Sequence, residues 1–333
     1  MKYRRLGNTG LSVAEVGFGV WTVSTNWWGK IDEGQAIRLL TSAFDLGINF
    51  FDTADTYGTG YGEEILAKAL KNQRHDMVIG TKFGYDFYAN VEREGHQERP
   101  QNFTPEFIRY ACEQSLKRLD TDYIDLYQLH NPRIDTIEDD EVFETLDELV
   151  KEGKIRHYGV ALGPDIGWFE EGEASMKERK IQAMQIIYSI LEQEPARRFF
   201  PIAEEEQTAL VTRVPHASGM LDGTYTKDTV FEPTDHRSHR RQEWLDTSLN
   251  KISHLDFLME NLDETIGQIA IQFALSGPNV ASVLPNMTNE PQLREFASAS
   301  EAGAIPKEFL DRLLELYDEN FYLEEAAEPS PAD

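Results

Sequence analysis

Phe50-Phe51-Asp52-Thr53-Ala54, Ile79-Gly80-Thr81-Lys82-Phe83 and Leu126-Tyr127-Gln128-Leu129-His130 share one form: a short apolar run that closes on an ionisable side chain. Short runs that stay apolar at successive positions read as strands of a parallel sheet, where helices cover both faces. Working outward, runs of this kind recur at Val13–Val20, Asn49–Thr53, Met77–Phe83, Ile124–His130, Ile155–Ala161, Ala183–Ser189, Ala209–Pro215 and Val280–Pro285. Between them lie helical repeats such as Ala36-Ile37-Leu39-Leu40-Ala43-Phe44, Ile108-Ala111-Cys112-Ser115-Leu116-Leu119 and Val142-Phe143-Leu146-Leu149-Val150. Strands and helices alternating in this way predict a (β/α)8 barrel of the TIM type, with residues 1–323 as one domain. A hairpin over residues 2–13, turning at Gly7-Asn8-Thr9-Gly10, is expected ahead of it. Glu324–Asp333 reads as an acidic, flexible tail.

Two stretches break the rhythm. Tyr85–Gln101 follows the third strand and Asp222–Arg241 the seventh. In this fold both emerge at the C-terminal rim, where active sites are built and long loops often serve as lids; whether these two close over substrate is left open by the sequence.

The chain has 333 residues, 40% of them hydrophobic, with 59 acidic against 32 basic side chains and a net charge of −27. That field repels phosphate backbones and anionic membranes, so neither nucleic acid nor a membrane is an expected partner. No apolar run approaches the length of a membrane span, and the N-terminus lacks a signal-peptide pattern. The single cysteine, Cys112, sits in a helical pattern and is read as packing; with the reducing environment this allows, the expected location is the cytoplasm. His236 and His239 have no companion ligands in the sequence, so no metal site is expected.

Chemistry gathers at the strand ends. Three consecutive strands deliver Asp52, Lys82 and His130 to one end of the barrel, and Tyr57 follows Asp52 by five residues. A charge that closes an apolar strand needs a partner, and Asp52 and Lys82 on neighbouring strands supply one another.

The text around these residues resembles the aldo-keto reductase superfamily over nearly the whole chain. The matches are Phe51-Asp52-Thr53-Ala54-Asp55-Thr56-Tyr57-Gly58, Gly80-Thr81-Lys82-Phe83 and Asp122-Tyr123-Ile124-Asp125-Leu126-Tyr127-Gln128-Leu129-His130, with Glu63-Glu64-Ile65-Leu66 and Ser218-Gly219-Met220-Leu221 in support. The resemblance implies an NAD(P)H-dependent oxidoreductase that reduces aldehydes or ketones, or oxidises a sugar or polyol in reverse. Tyr57 would be the general acid, Lys82 would favour its ionised form, Asp52 would orient Lys82, and His130 would bond the carbonyl oxygen. It further implies that Gln185 bonds the nicotinamide carboxamide, that Arg213 stacks under the ring, that Ser218 faces the pyrophosphate, and that Thr288 and Gln292 face the adenosine. Trp21 would touch substrate.

NADPH is the first expectation for the cofactor, with NADH also admitted. Gly17-Phe18-Gly19 lacks the third glycine of a dinucleotide fingerprint. The chain also departs from its relatives. After the fifth strand Gly159-Val160-Ala161-Leu162-Gly163 lacks a polar pair, Asn286 and Gln292 stand where NADPH-preferring relatives carry cations, and Phe296 replaces a late asparagine. Arg294 is the nearest cation in the sequence, and without a cation on the 2′-phosphate the preference for NADPH is expected to be modest. Aromatic residues after the first strand (Trp21, Trp27, Trp28) and the third (Phe83, Tyr85, Phe87, Tyr88) are expected to rim the substrate pocket. The alternative reading is a cofactor-binding regulatory protein on the same fold with little turnover.

Overall fold

A computed structural model describes residues 1–89, 99–163, 168–231, 235, 237–238 and 242–323. The tail Glu324–Asp333, His236, His239 and the middle of both long inserts lie outside the described residues.

The hairpin forms as the turn chemistry requires: β1 (Tyr3–Arg5) pairs antiparallel with β2 (Ser12–Ala14). Eight parallel strands follow: β3 (Phe18–Gly19), β4 (Phe50–Asp52), β5 (Val78–Phe83), β6 (Ile124–His130), β7 (Ile155–Ala161), β8 (Ala183–Ile187), β9 (Ala209–Arg213) and β10 (Val280–Leu284). Each pairs with the next in chain order. The ring closes where Val16 bridges Val283, with the Gly17 N–H donating to the Val283 carbonyl at 2.9 Å. The fold is therefore the expected (β/α)8 barrel. The run Val13–Val20 is not one strand, however: its first residues belong to β2, and the chain bends at Glu15–Gly17 before entering β3.

Helices fill the intervals. Glu33–Asp45 starts at Asp32, whose carboxylate accepts from the Gln35 N–H, and Pro105–Leu119 starts at Thr104 with proline in the first turn. Cys112 is buried on the second of these helices and burial pushes its thiol up to about 12, so it packs rather than reacts.

The inside of the barrel is the part that matters for function. Side chains alternate inward and outward along a strand. Leu6, Val13, Phe50, Val78, Leu126, Ala183, Ala209, Val211, Ala281 and Leu284 form one apolar cluster in the lower barrel, with Leu6 and Val13 contributed by the hairpin side. Two residues further along the same strands the inward side chains turn polar. Phe50 is followed by Asp52, Val78 by Gly80 and Lys82, Leu126 by Gln128 and His130, Ala183 by Gln185, and Val211 by Arg213. An apolar plug at one end and a polar bowl at the other thus come from a single alternation.

Candidate active site

Lys82 sits at the centre of the bowl, 1% exposed. Its ammonium donates to Asp52 Oδ1 at 2.5 Å, to the Thr53 carbonyl at 2.8 Å, and to Tyr57 Oη at 3.4 Å. Burial alone would pull its pKa down. The Asp52 carboxylate, and after it Tyr57, outweigh burial and hold the ammonium above the ordinary lysine value. The other oxygen of Asp52 accepts from two buried amides, Gln128 Nε2 at 3.1 Å and Gln185 Nε2 at 3.0 Å. Gly80 leaves room for this: a Cβ there would stand 3.2 Å from Gln128 Nε2 and 3.4 Å from Asp52 Oδ2.

His130 meets the Tyr57 ring edge-on, with centroids 5.9 Å apart, and Tyr85 packs on its other side at 4.9 Å. Burial, then Lys82 and Arg213, push its pKa well below 6.5, so the imidazole is neutral at physiological pH and keeps one N–H to donate. Asp52, Tyr57, Lys82 and His130 are thus brought together as expected. The arrangement offers a proton at Tyr57 Oη, a cation behind it and a neutral donor beside it, which suits protonation of an oxygen that gains charge.

The expected cofactor residues divide. Gln185 and Arg213 line the bowl, and Arg213 Nη2 donates to the Leu162 carbonyl at 2.9 Å. Where relatives place a polar pair after the fifth strand, this chain therefore carries a backbone carbonyl tied to Arg213. Ser218 lies in the turn after β9 with a positive φ of 60°. Thr288 and Gln292 bond one another at the exit of β10, Thr288 Oγ1 donating to Gln292 Oε1 at 2.8 Å. Asn289 caps the helix Glu290–Ser298 that follows, and a helix start of this kind is suited to anions. Arg294 pairs with Glu290 on the exposed side of that helix. Phe296 is core, 4.3 Å from the His216 ring, and does not present itself at the rim.

The aromatic rim is smaller than the sequence led us to expect. Trp21 packs against Trp27 at 5.8 Å and Trp28 at 6.2 Å, and Tyr85 reaches His130. Phe83 does not join them. It points outward, opposite in parity to Lys82, and stacks on Tyr127 at 4.3 Å in the core. Phe87 and Tyr88 stack on each other, and Tyr88 packs against Phe107 and Tyr110 of the helix Pro105–Leu119, away from the bowl.

Three contributors escaped the sequence reading. Gln128 is one, although its signal was available: it lies two residues before His130, on the same strand face. Gln101 is another, donating to the His130 and Asn131 carbonyls at 2.9 Å each. The third is Arg237, in the insert after β9. It donates to the Ser218 carbonyl at 3.1 Å, pairs with Asp235 and lies 4.4 Å over the Trp28 ring, so the insert reaches across the rim to the loop after β3. Its cue was the Asp235–Arg237 pair inside a polar stretch.

Comparison with known proteins gives the same picture. The model of the aldo/keto reductase family matches residues 15–318. An uncharacterized oxidoreductase of Bacillus subtilis, YqkF, is 33% identical over 94% of this chain and 95% of its own. An NADH-specific methylglyoxal reductase of Escherichia coli is 29% identical over 90% and 93%. Among solved structures, the holo form of aldo-keto reductase AKR11C1 from Bacillus halodurans superposes with a TM-score of 0.76 at 31% identity, covering 95% of this chain and 96% of that one. Barrel, bowl and sequence therefore agree, and the chain belongs to the aldo/keto reductase family.

Proposed function

We propose that this chain is an NAD(P)H-dependent reductase of small aldehydes and ketones, able to run in reverse on a sugar or polyol, with Tyr57 as its proton donor. The observation that carries the reading is the position of Lys82, bound at once to Asp52 and to the Tyr57 hydroxyl with His130 beside them. A bound nicotinamide dinucleotide would supply the hydride. The residues left over in the bowl suit such a group: Gln185 is an amide at its floor, and Arg213 has donors beyond its bond to Leu162.

In this reading the substrate oxygen lies between Tyr57 and His130. His130, being neutral, donates a hydrogen bond to it without competing with Tyr57 for the proton. Lys82 stabilises the phenolate that proton transfer leaves behind, and Asp52 keeps Lys82 charged and aimed. Trp21 forms the wall against the substrate. Gln185 and Arg213 hold the nicotinamide end, Ser218 the pyrophosphate, and Thr288 and Gln292 the adenosine end. Residues 1–323 act as one barrel domain. A lone, buried cysteine suits a reducing compartment, and the proposed location is the cytoplasm. Among the described residues no helix is long and apolar enough to cross a membrane.

The cofactor preference follows from the exit of β10. Thr288 and Gln292 are neutral and Arg294 is paired with Glu290, so among the described residues the 2′-phosphate meets no dedicated cation there. NADPH and NADH should both serve, and the relative named as NADH-specific supports admitting NADH. The test is loss of reduced-nicotinamide absorbance with methylglyoxal and an aromatic aldehyde, each cofactor in parallel. Turnover with either cofactor supports the reading, and a thousandfold preference for NADPH would contradict the cofactor argument. Tight cofactor binding without turnover on any aldehyde, ketone or polyol would favour the regulatory-protein alternative.

A further inference from the structure

One cation facing the bowl has no ion-pair partner among the described residues. Asp52 and Lys82 cancel one another at 2.5 Å. His130 is neutral. Arg213 is left: its one hydrogen bond goes to a neutral carbonyl, and among the described residues no carboxylate lies within ion-pair distance of it. Glu192 is near enough to act on it, but Glu192 also acts on Lys251, a second cation behind the rim. Arg213 keeps some exposure at the mouth, yet desolvation dominates its surroundings, and its charge is felt at Tyr57 and Asp52. In a chain with a net charge of −27, the bowl thus presents a guanidinium that has no ion-pair partner among the described residues.

This inference rests on the proposed function and concerns the dinucleotide. Hydride passes only between atoms in van der Waals contact, so the nicotinamide C4 must sit beside the carbonyl that Tyr57 protonates. Wherever the ring lies within that constraint, it lies in the field of Arg213. The reduced ring is neutral and the oxidised ring is a cation.

We propose that Arg213 makes the site discriminate between redox states of the dinucleotide, holding the reduced form and disfavouring the oxidised one through repulsion between guanidinium and pyridinium. Two unit charges a few ångströms apart in a half-desolvated site repel strongly enough for roughly a tenfold or greater difference in affinity. Reduction is then helped at its last step, because the oxidised product leaves readily. The bound couple is a correspondingly weaker reductant, by about 30 mV for each tenfold.

The experiment measures Kd for NADPH, NADP+, NADH and NAD+ by quenching of tryptophan fluorescence in the wild type, Arg213→Met and Arg213→Lys. The wild type should bind the reduced form at least about tenfold more tightly. Arg213→Met should shrink that ratio, chiefly by strengthening the oxidised form, and Arg213→Lys should keep most of it. Should Arg213→Met fail to fold by circular dichroism, Arg213→Gln makes the same charge change. An equal ratio in the wild type and the neutral variant would overturn the proposal, as would a lysine variant that behaves like the neutral one. If the wild type binds none of the four dinucleotides, the proposed function itself fails, which the same titration reveals separately.

Discussion

Asp55 has been stripped of water with little given in return. It is fully buried, and neither carboxylate oxygen has a well-formed hydrogen bond among the described residues. Burial, and then the nearby Glu63 carboxylate, raise its pKa well above 3.8; Arg118 and the Thr56 N–H offset only part of this. The unfolded chain loses this proton near pH 4 while the folded chain holds it. The contribution of Asp55 to stability is therefore full below pH 4 and declines as pH rises toward its folded-state pKa, by about 1.4 kcal/mol for each pH unit crossed. Asp55→Asn has no proton to hold. It should be more stable than wild type at pH 7.5 and equal to it near pH 4, as read from urea melts. A variant less stable at both pH values would contradict this. At this scale the sequence was legible where a charge closed an apolar strand, as at Asp52, Lys82 and His130. It was opaque where parity decided the outcome: Phe83 and Lys82 are neighbours, yet one faces the core and the other the bowl. Gln128 passed unnoticed because a neutral amide in a strand calls for no partner until its burial is seen.

Among the elements, β6 shows how the lower barrel is tied together. Asp125, fully buried, accepts from the Ile79 N–H of β5 at 3.0 Å, from Arg156 of β7 at 2.9 Å and from Arg74 at 2.8 Å. Both guanidinium groups, Arg156 and Arg74, also lie over the Tyr123 ring, at 4.1 and 3.9 Å from its centroid. One carboxylate thus couples three neighbouring segments, far from the catalytic bowl. Asp125→Ala takes the shared carboxylate from Arg74, Arg156 and the Ile79 N–H and should cost about 3 kcal/mol in urea unfolding. The folded fraction should keep the wild-type turnover per site. A loss below about 1 kcal/mol would show that the cluster is solvated rather than structural. Strand positions were legible because each is a short, nearly continuous apolar run. The end of the first was not, since an apolar run reads the same through a bend at Glu15–Gly17 as along a straight strand.

For the whole molecule the governing quantity is charge. An excess of 27 negative charges repels itself across the surface. Exposed ion pairs such as Arg109–Glu152 and Lys307–Asp311 are screened by salt too, but each contributes little. The surplus repulsion should win, so Tm should rise by several degrees between low salt and about 1 M NaCl. A flat or falling Tm would mean that the pairs outweigh the surplus. The fold was legible at this scale because alternation of strands and helices is written in hydrophobic pattern alone. How the long inserts meet the rim was not, because polar segments carry no period, and the reach of Arg237 to Trp28 depends on tertiary contact. What the fold achieves is to set a phenol, an ammonium and a neutral imidazole around one point. The most direct test is Tyr57→Phe, assayed for aldehyde reduction alongside its Kd for the reduced dinucleotide. Loss of a hundredfold or more in turnover with Kd unchanged is the outcome expected of a proton donor. Turnover at the wild-type rate would show that the proton comes from elsewhere.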